Sequence, residues 1–284
     1  MRFSLVPDLS ATALVVDPAA VYNGSSSSVS DVKLRIGNGS AGQSGFVKAL
    51  ADKFIQSSVA NGSDPFLIAW YTSDTSESIN YLKEDTHIAI NQGIAKSPAW
   101  YAFRDHFLLV GPTANPAGLR KSDDIRTMFS DIFSFAKADL AGETSFSVPT
   151  RFLTRYDKSA TNIKESTMWT DIGQVPWAPA YSKWYHQYAD YPVQALTAEI
   201  LLQEYNITDR GTYLSIDRGG DGDAEDPLLN PAHILVGAKA SNRKMTERFV
   251  EWVVSEEGQG ATTGFMKNGQ QLYSATPEDK TAQL

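Results

Sequence analysis

The sequence predicts an α/β protein of two lobes facing each other across a ligand cleft, and two observations carry that expectation. Apolar runs with strand-like alternation are interleaved with amphipathic helical stretches through most of the chain, the order that builds sheets flanked by helices. Two strand-to-helix turns, Gly37 to Gly45 and Arg155 to Thr161, have the composition of anion pockets and lie far apart in sequence. Loops of that kind reach one ligand together when it sits between lobes.

Composition narrows the function. The chain has 284 residues, 42% hydrophobic and 20% charged, enough for a substantial core. Its formal net charge of −8 argues against general affinity for nucleic acid or acidic membranes, which depend on many Lys and Arg meeting phosphates. An anion site here must therefore work by local geometry. There is no cysteine, so no disulfide and no thiolate metal site. No run approaches the roughly 20 apolar residues that span a bilayer, so we expect no membrane insertion. The first 16 residues, with Arg2 and Ala13-Leu14-Val15-Val16, resemble a secretory signal interrupted by Pro7-Asp8. Asn-x-Ser/Thr sequons begin at Asn23, Asn38, Asn61 and Asn206. Together these features lead us to expect a secreted or extracellular protein.

Taken in order, residues 17 to 30 lack periodic hydrophobicity, and residues 1 to 30 read as a degenerate signal or flexible tail. Val32, Leu34 and Ile36 alternate with Lys33 and Arg35 as a strand. The glycine-rich turn follows, then a helix with Phe46, Val47, Leu50 and Phe54 on its apolar side. This turn lacks the Gly-Lys-Ser/Thr ending of a Walker loop and the dinucleotide glycine spacing, and Asn38 stands where a nucleophile elbow at Ser40 needs glycine. A tight turn whose glycines only supply positive φ is the alternative. Phe66 to Tyr71 is a second strand, and Ser73 to Ser76 begins a helix with Ile79 and Leu82. Lys83-Glu84-Asp85-Thr86 then runs straight into a helical His87-Ile88-Ala89-Ile90, where β/α alternation wants a strand. Trp100 to Val110 is strand-like. Ser122-Asp123-Asp124 caps a helix with Ile125, Met128, Phe129, Ile132 and Ala136 on one face.

Phe152 leads into Arg155-Tyr156-Asp157-Lys158-Ser159-Ala160-Thr161, after which Ile163, Met168 and Trp169 continue as a helix. A helix start offers unpaired N–H groups and partial positive charge, Ser and Thr add short donors, and Arg adds a charged fork. The competing reading pairs Arg155 with Asp157. Trp177 to Tyr205 reads as an aromatic helix used for packing, His186 has no evident partner, and Thr212 to Ile216 reads as a short strand. The acidic Asp217 to Asp226 turn lacks EF-hand spacing. Ile234 to Val236 is a strand, and a last helix with Met245, Phe249, Trp252 and Val253 ends near Gly258.

Arg155 to Thr161 resembles the Ser-Arg-Gly-Asp-Asp-Ser-Gly-Thr motif of tungstate-binding proteins, the substrate-binding components of tungstate ABC transporters. Asp105 to Pro112, Thr208 to Leu214, Leu228 to Pro231 and Phe249 to Gln259 are similar to further segments of that family. The resemblance implies a type II periplasmic-binding-protein-like fold, with a mixed sheet flanked by helices in each lobe. We expect residues 31–110 plus 230–284 to form lobe 1 and 111–229 lobe 2. It implies a non-enzymatic oxyanion binder, tungstate or molybdate, without a cofactor, and a membrane transporter as partner in the parent family. Carried over residue by residue, the ligand-binding role falls on Arg155, Ser159, Ala160 and Thr161, and on Gly39 and Ser40 in the other lobe. Gly37-Asn38-Gly39 stands where the family has three threonines, Ala160 where it has glycine, and about ten residues of a ligand-side strand are missing near Lys83 to His87. Asp157 keeps phosphate open by offering an acceptor for a protonated anion. Two other readings stay in view: a serine hydrolase using Ser40 or Ser44 with a histidine, and a secreted binding-fold relic acting on another protein.

Overall fold

The computed structural model of the chain describes residues 17–27, 29–72, 95–216, 229–238, 240 and 242–277. The expected helix start at Ser73, the junction at Lys83 to His87 and the acidic turn lie outside these residues. Within them the chain forms β1 (Ala20–Tyr22), β2 (Val32–Asn38), α1 (Ser40–Gln43), α2 (Phe46–Ala60), β3 (Leu67–Thr72) and β4 (Ala95–Val110). Then come α3 (Ile125–Ala141), β5 (Phe152–Thr154), α4 (Ala160–Asp171), β6 (Tyr185–Gln187), α5 (Pro192–Leu202), β7 (Asn206–Asp209) and α6 (Arg210–Ser215). The chain continues with β8 (Leu229–Gly237), α7 (Arg243–Val253), α8 (Glu256–Thr263) and the β9 (Met266–Lys267) and β10 (Gln270–Gln271) hairpin.

Apolar side chains gather into two clusters, which give the fold its two lobes. The first holds Leu34, Phe46, Leu50, Phe54, Ile68, Trp70, Ala102, Leu214, Phe249, Trp252 and Tyr273. The second holds Phe107, Phe129, Ile132, Phe152, Met168, Trp169, Trp184, Tyr185 and Ile207. The long β4 gives Ala102 to one and Phe107 to the other, so this strand crosses between them. It pairs antiparallel with β8 over its first part and with β7 over its last, in the order β7-β4-β8. The chain crosses back at the β7–α6 junction, from Ile207 in the second cluster to Leu214 in the first.

In the first lobe β2 and β3 are parallel neighbours, and the intervening α2 buries Phe46, Val47, Leu50 and Phe54 as its periodicity requires. The tail expected up to residue 30 does not hold at its far end. Residues 20 to 22 add an antiparallel edge strand to β3, Tyr22 is 8% exposed, and the Gly24 N–H donates to Asp52 Oδ1 at 3.1 Å. Three residues with a single inward side chain leave no periodicity to read.

Three further expectations are corrected. Trp177 to Tyr205 is not one helix: Pro179 and Pro192 break it into turns, β6 and α5, although Trp184 and Tyr185 do pack in the core. Residues 210 to 215 are helix, not strand, because Asp209 caps them, its carboxylate accepting from the Thr212 N–H at 2.9 Å. The last helix stops at Val253, and Ser255 caps a separate α8, its hydroxyl accepting from the Gly258 N–H. Of the four sequons, Asn206 is buried in β7, whereas Asn23 and Asn61 are exposed.

The glycine-rich turn is fixed by a close approach. A Cβ on Gly42 would lie 2.2 Å from the Trp70 indole, whose N–H donates to Asn38 O at 3.1 Å. Gly42→Ala is therefore expected to cost about 1–3 kcal/mol and to shift the Gly39–Ser44 turn, read by denaturant unfolding and near-ultraviolet circular dichroism. Wild-type stability in this variant would show that the turn adjusts freely.

Candidate functional site

The better-furnished anion loop lies in the second lobe, between β5 and α4. All three β5 residues are buried, and the loop turns sharply, with Tyr156 at φ 48° and Lys158 at φ 59°. Position 156 is where the family motif has glycine, and the left-handed backbone there supplies the reason. Ser159 caps α4, its hydroxyl accepting from the Asn162 N–H at 3.3 Å. Arg155 is only 7% exposed. Its Nε donates to Asp190 O at 3.0 Å, and Nη2 pairs with Asp157 Oδ2. The pairing with Asp157 is thus present, and Asp157 Oδ1 also accepts from the Ser159 N–H at 2.9 Å. Nη1 makes no hydrogen bond among the described residues. Thr161, 7% exposed at the start of α4, has no hydrogen-bond partner among them for its hydroxyl. A buried guanidinium, two hydroxyls and a helix start therefore converge at one place, with Ala160 on the first turn between the hydroxyls.

The second loop, from β2 to α1, is sparser. Asn38 Oδ1 accepts from the Gly42 N–H at 2.7 Å and closes the turn that begins at Gly39. The partly exposed Ser40 makes no side-chain hydrogen bond among the described residues. Ser44 is spent differently, its hydroxyl donating to Ala41 O at 2.9 Å and meeting Tyr273 OH at 3.1 Å. The two loops flank the β7–α6 junction: α1 packs on α6, where Gly211 lies against Ser44, and α4 packs on β7.

Two residues near this junction escape a reading of the sequence by motif. Arg210 opens α6, with its Nε buried and lacking a partner among the described residues and its Nη2 3.4 Å from Gln270 Oε1. Glu165 lies under the Arg155 loop, fully enclosed, accepting from Tyr185 OH and Thr154 Oγ1 at 2.7 Å each. A carboxylate on the same face as Met168 and Trp169 is the signal that marks it. His186, expected to stand alone, places Nδ1 3.2 Å from Glu204 Oε2.

Burial pushes the Glu165 carboxyl up to about 7, against the opposing pull of its hydrogen bonds. It pushes the Tyr185 hydroxyl well above its usual value, with the neighbouring Glu165 adding to the shift. A carboxyl with a raised folded pKa stabilises the fold below its unfolded value and loses that contribution as pH rises through the folded value. Stability from this group should fall by about 3 kcal/mol between roughly pH 4.5 and 7. Urea unfolding of wild type and Glu165→Gln across that window should show the slope flattened in the variant; parallel curves would contradict it.

With this geometry in place, comparison with known proteins is decisive for the family. A model described as a PBP superfamily domain, the periplasmic-binding-protein group, matches residues 23–257. The chain belongs to the PBP superfamily. A solved structure described as that of a periplasmic candidate metal-binding protein is 55% identical, with a TM-score of 0.79 over 91% of this chain and 99% of that one. The tungstate-binding protein TupA of Desulfovibrio alaskensis G20 is 20% identical with a TM-score of 0.67, covering 88% of this chain and 100% of that one, a likeness of fold. The tungstate-binding protein TupA of Peptoclostridium acidaminophilum is 28% identical over 200 residues, 68% of this chain. This PBP-superfamily chain spans 63% of the length of that relative.

Proposed function

We propose that this chain is a non-enzymatic binding protein for a tetrahedral metal oxyanion, tungstate or molybdate, held at the junction of the lobes. The observation that carries the reading is the Arg155–Thr161 loop, where a nearly buried guanidinium and a Thr161 hydroxyl with no partner among the described residues stand at a helix start. Ser159, Thr161, Arg155 Nη1 and the α4 backbone are the donors on one side, and Gly39 and Ser40 complete the site from the other. A metal oxyanion also reconciles relatives described as tungstate-binding with a near neighbour described as metal-binding. Among the described residues no group of three His, Cys, Asp or Glu is placed to hold a bare cation. Charged hydrogen bonds of about 1.5–3 kcal/mol each, shared between two lobes that close on the ligand, supply useful affinity.

The setting is extracytoplasmic, with a membrane transporter as partner, in keeping with relatives named as transporter components. No helix among the described residues is long and apolar enough to cross a membrane. The hydrolase reading has less support: Ser44 bonds Ala41 O and Tyr273, whereas His106 Nε2 meets Ser274 and His186 meets Glu204. Calorimetric titration with tungstate, molybdate, sulfate and phosphate tests the proposal, and labelling of Ser40 by a serine-reactive phosphonate would favour the alternative.

A further inference from the structure

Glu165 has no part in the ligand contacts assigned above, yet it is wired to the loop that makes them. Its Oε2 accepts from Thr154 Oγ1 and its Oε1 from Tyr185 OH, each at 2.7 Å. Thr154 Oγ1 in turn accepts from the Tyr156 N–H and from Asn162 Nδ2, each at 3.2 Å. Asn162 continues the chain, with Oδ1 accepting from the Lys158 N–H at 3.0 Å and its own N–H donating to Ser159. One buried carboxyl therefore sits at the base of the hydrogen bonds that shape residues 156 to 162.

A threonine hydroxyl has one proton and two lone pairs. Both lone pairs of Thr154 are taken by N–H donors, so its proton is committed to Glu165 Oε2. A proton arriving on Glu165 goes to Oε1, with Tyr185 turning to accept it. The bonds on the loop side are then the same in either protonation state, and only the charge differs. The groups facing this carboxyl are Thr154 from β5, Tyr185 from β6, and Asn162 and Trp169 from its own helix. Among the described residues the buried Trp169 N–H faces this carboxyl without reaching full hydrogen-bond geometry to any acceptor. Among the described residues no Lys, Arg or His pairs with Glu165, and Arg155 is bonded to Asp157 and Asp190 instead. An uncompensated negative charge behind an anion loop, in a medium less polarisable than water, opposes the ligand.

We infer that Glu165 is a positioning residue which couples anion capture to uptake of one proton from solvent, so that the loop binds a dianion best when this carboxyl is neutral. The inference rests on the oxyanion reading above. Burial already holds the carboxyl near neutrality, which places the coupling in the physiological range.

Calorimetric titration of the whole chain with tungstate, at about pH 7.5 in buffers of different ionisation enthalpy, reads proton uptake directly and needs no variant. The ligand carries no proton there, so uptake belongs to the protein. Wild-type affinity should fall about fivefold between roughly pH 7 and 9, the change expected when binding raises the carboxyl by about one unit. Glu165→Gln should bind without proton uptake, with a flat profile, and more tightly than wild type at the alkaline end. Binding without proton uptake and with the same pH profile in both proteins would overturn the coupling and leave the oxyanion reading standing. A wild-type chain that binds none of tungstate, molybdate, sulfate or phosphate overturns both.

Discussion

Arg155→Ala is expected to weaken oxyanion binding by about 10- to 150-fold, the loss that follows when one charged hydrogen bond of about 1.5–3 kcal/mol is removed. The same change leaves Asp157, whose side chain is 15% exposed, holding only the Ser159 N–H among the described residues. Removing one partner of a largely buried pair costs more than the pair itself is worth, and partial access to water moderates that cost to about 2 kcal/mol here. Arg155→Lys keeps the charge but loses the fork that serves Asp190 O and Asp157 together, so it should fall between the two. Titration calorimetry paired with urea unfolding separates the two effects. An Arg155→Ala protein that folds and binds normally would show that the ligand meets other donors.

Trp169→Ala should be the most damaging single truncation in the second lobe, at about 3–5 kcal/mol. Its side chain is fully buried and packs at 4.6 Å from the Phe129 ring, 5.2 Å from Phe152 and 5.5 Å from Trp184. Against a total stability of about 5–15 kcal/mol, that loss brings the second core close to unfolding. Because α4 carries Trp169 toward one end and Ser159 to Thr161 at the other, binding should fail together with packing. Hydrogen exchange should show protection lost in α3, α4 and β5 while β2 and β3 keep theirs, since the first cluster does not contain Trp169. Uniform loss over both lobes would mean that the two cores unfold as one.

Much of the candidate loop's structure could be read along the chain because it is local. Arg155, the cap at Ser159 and the helix carrying Met168 and Trp169 follow one another within a few turns, and the backbone obeys the same signals. The α2 and α3 faces were legible for the same reason, each being a run long enough for its period to show. What stayed hidden depends on partners distant in sequence. β1 exists because β3 offers it an edge, and the Trp177–Tyr205 stretch yields to its prolines and to the core around Trp184. The Asp157 ion pair could be anticipated from spacing, but the Asp190 carbonyl that shares Arg155 could not. Glu165, a charge on an apolar helix face, went unread, and its meaning depends on Thr154 and Tyr185 closing over it.

In the proposed function the Arg155–Thr161 loop takes a tetrahedral metal oxyanion. Titration of the wild-type chain with tungstate, beside Thr161→Val and Arg155→Ala, tests it most directly. Saturable binding of one anion per chain is expected, about tenfold weaker when the Thr161 hydroxyl is removed and about 10- to 150-fold weaker without the Arg155 guanidinium. Saturable binding that is unchanged in both variants, or no binding of any of the four oxyanions by wild type, would contradict it.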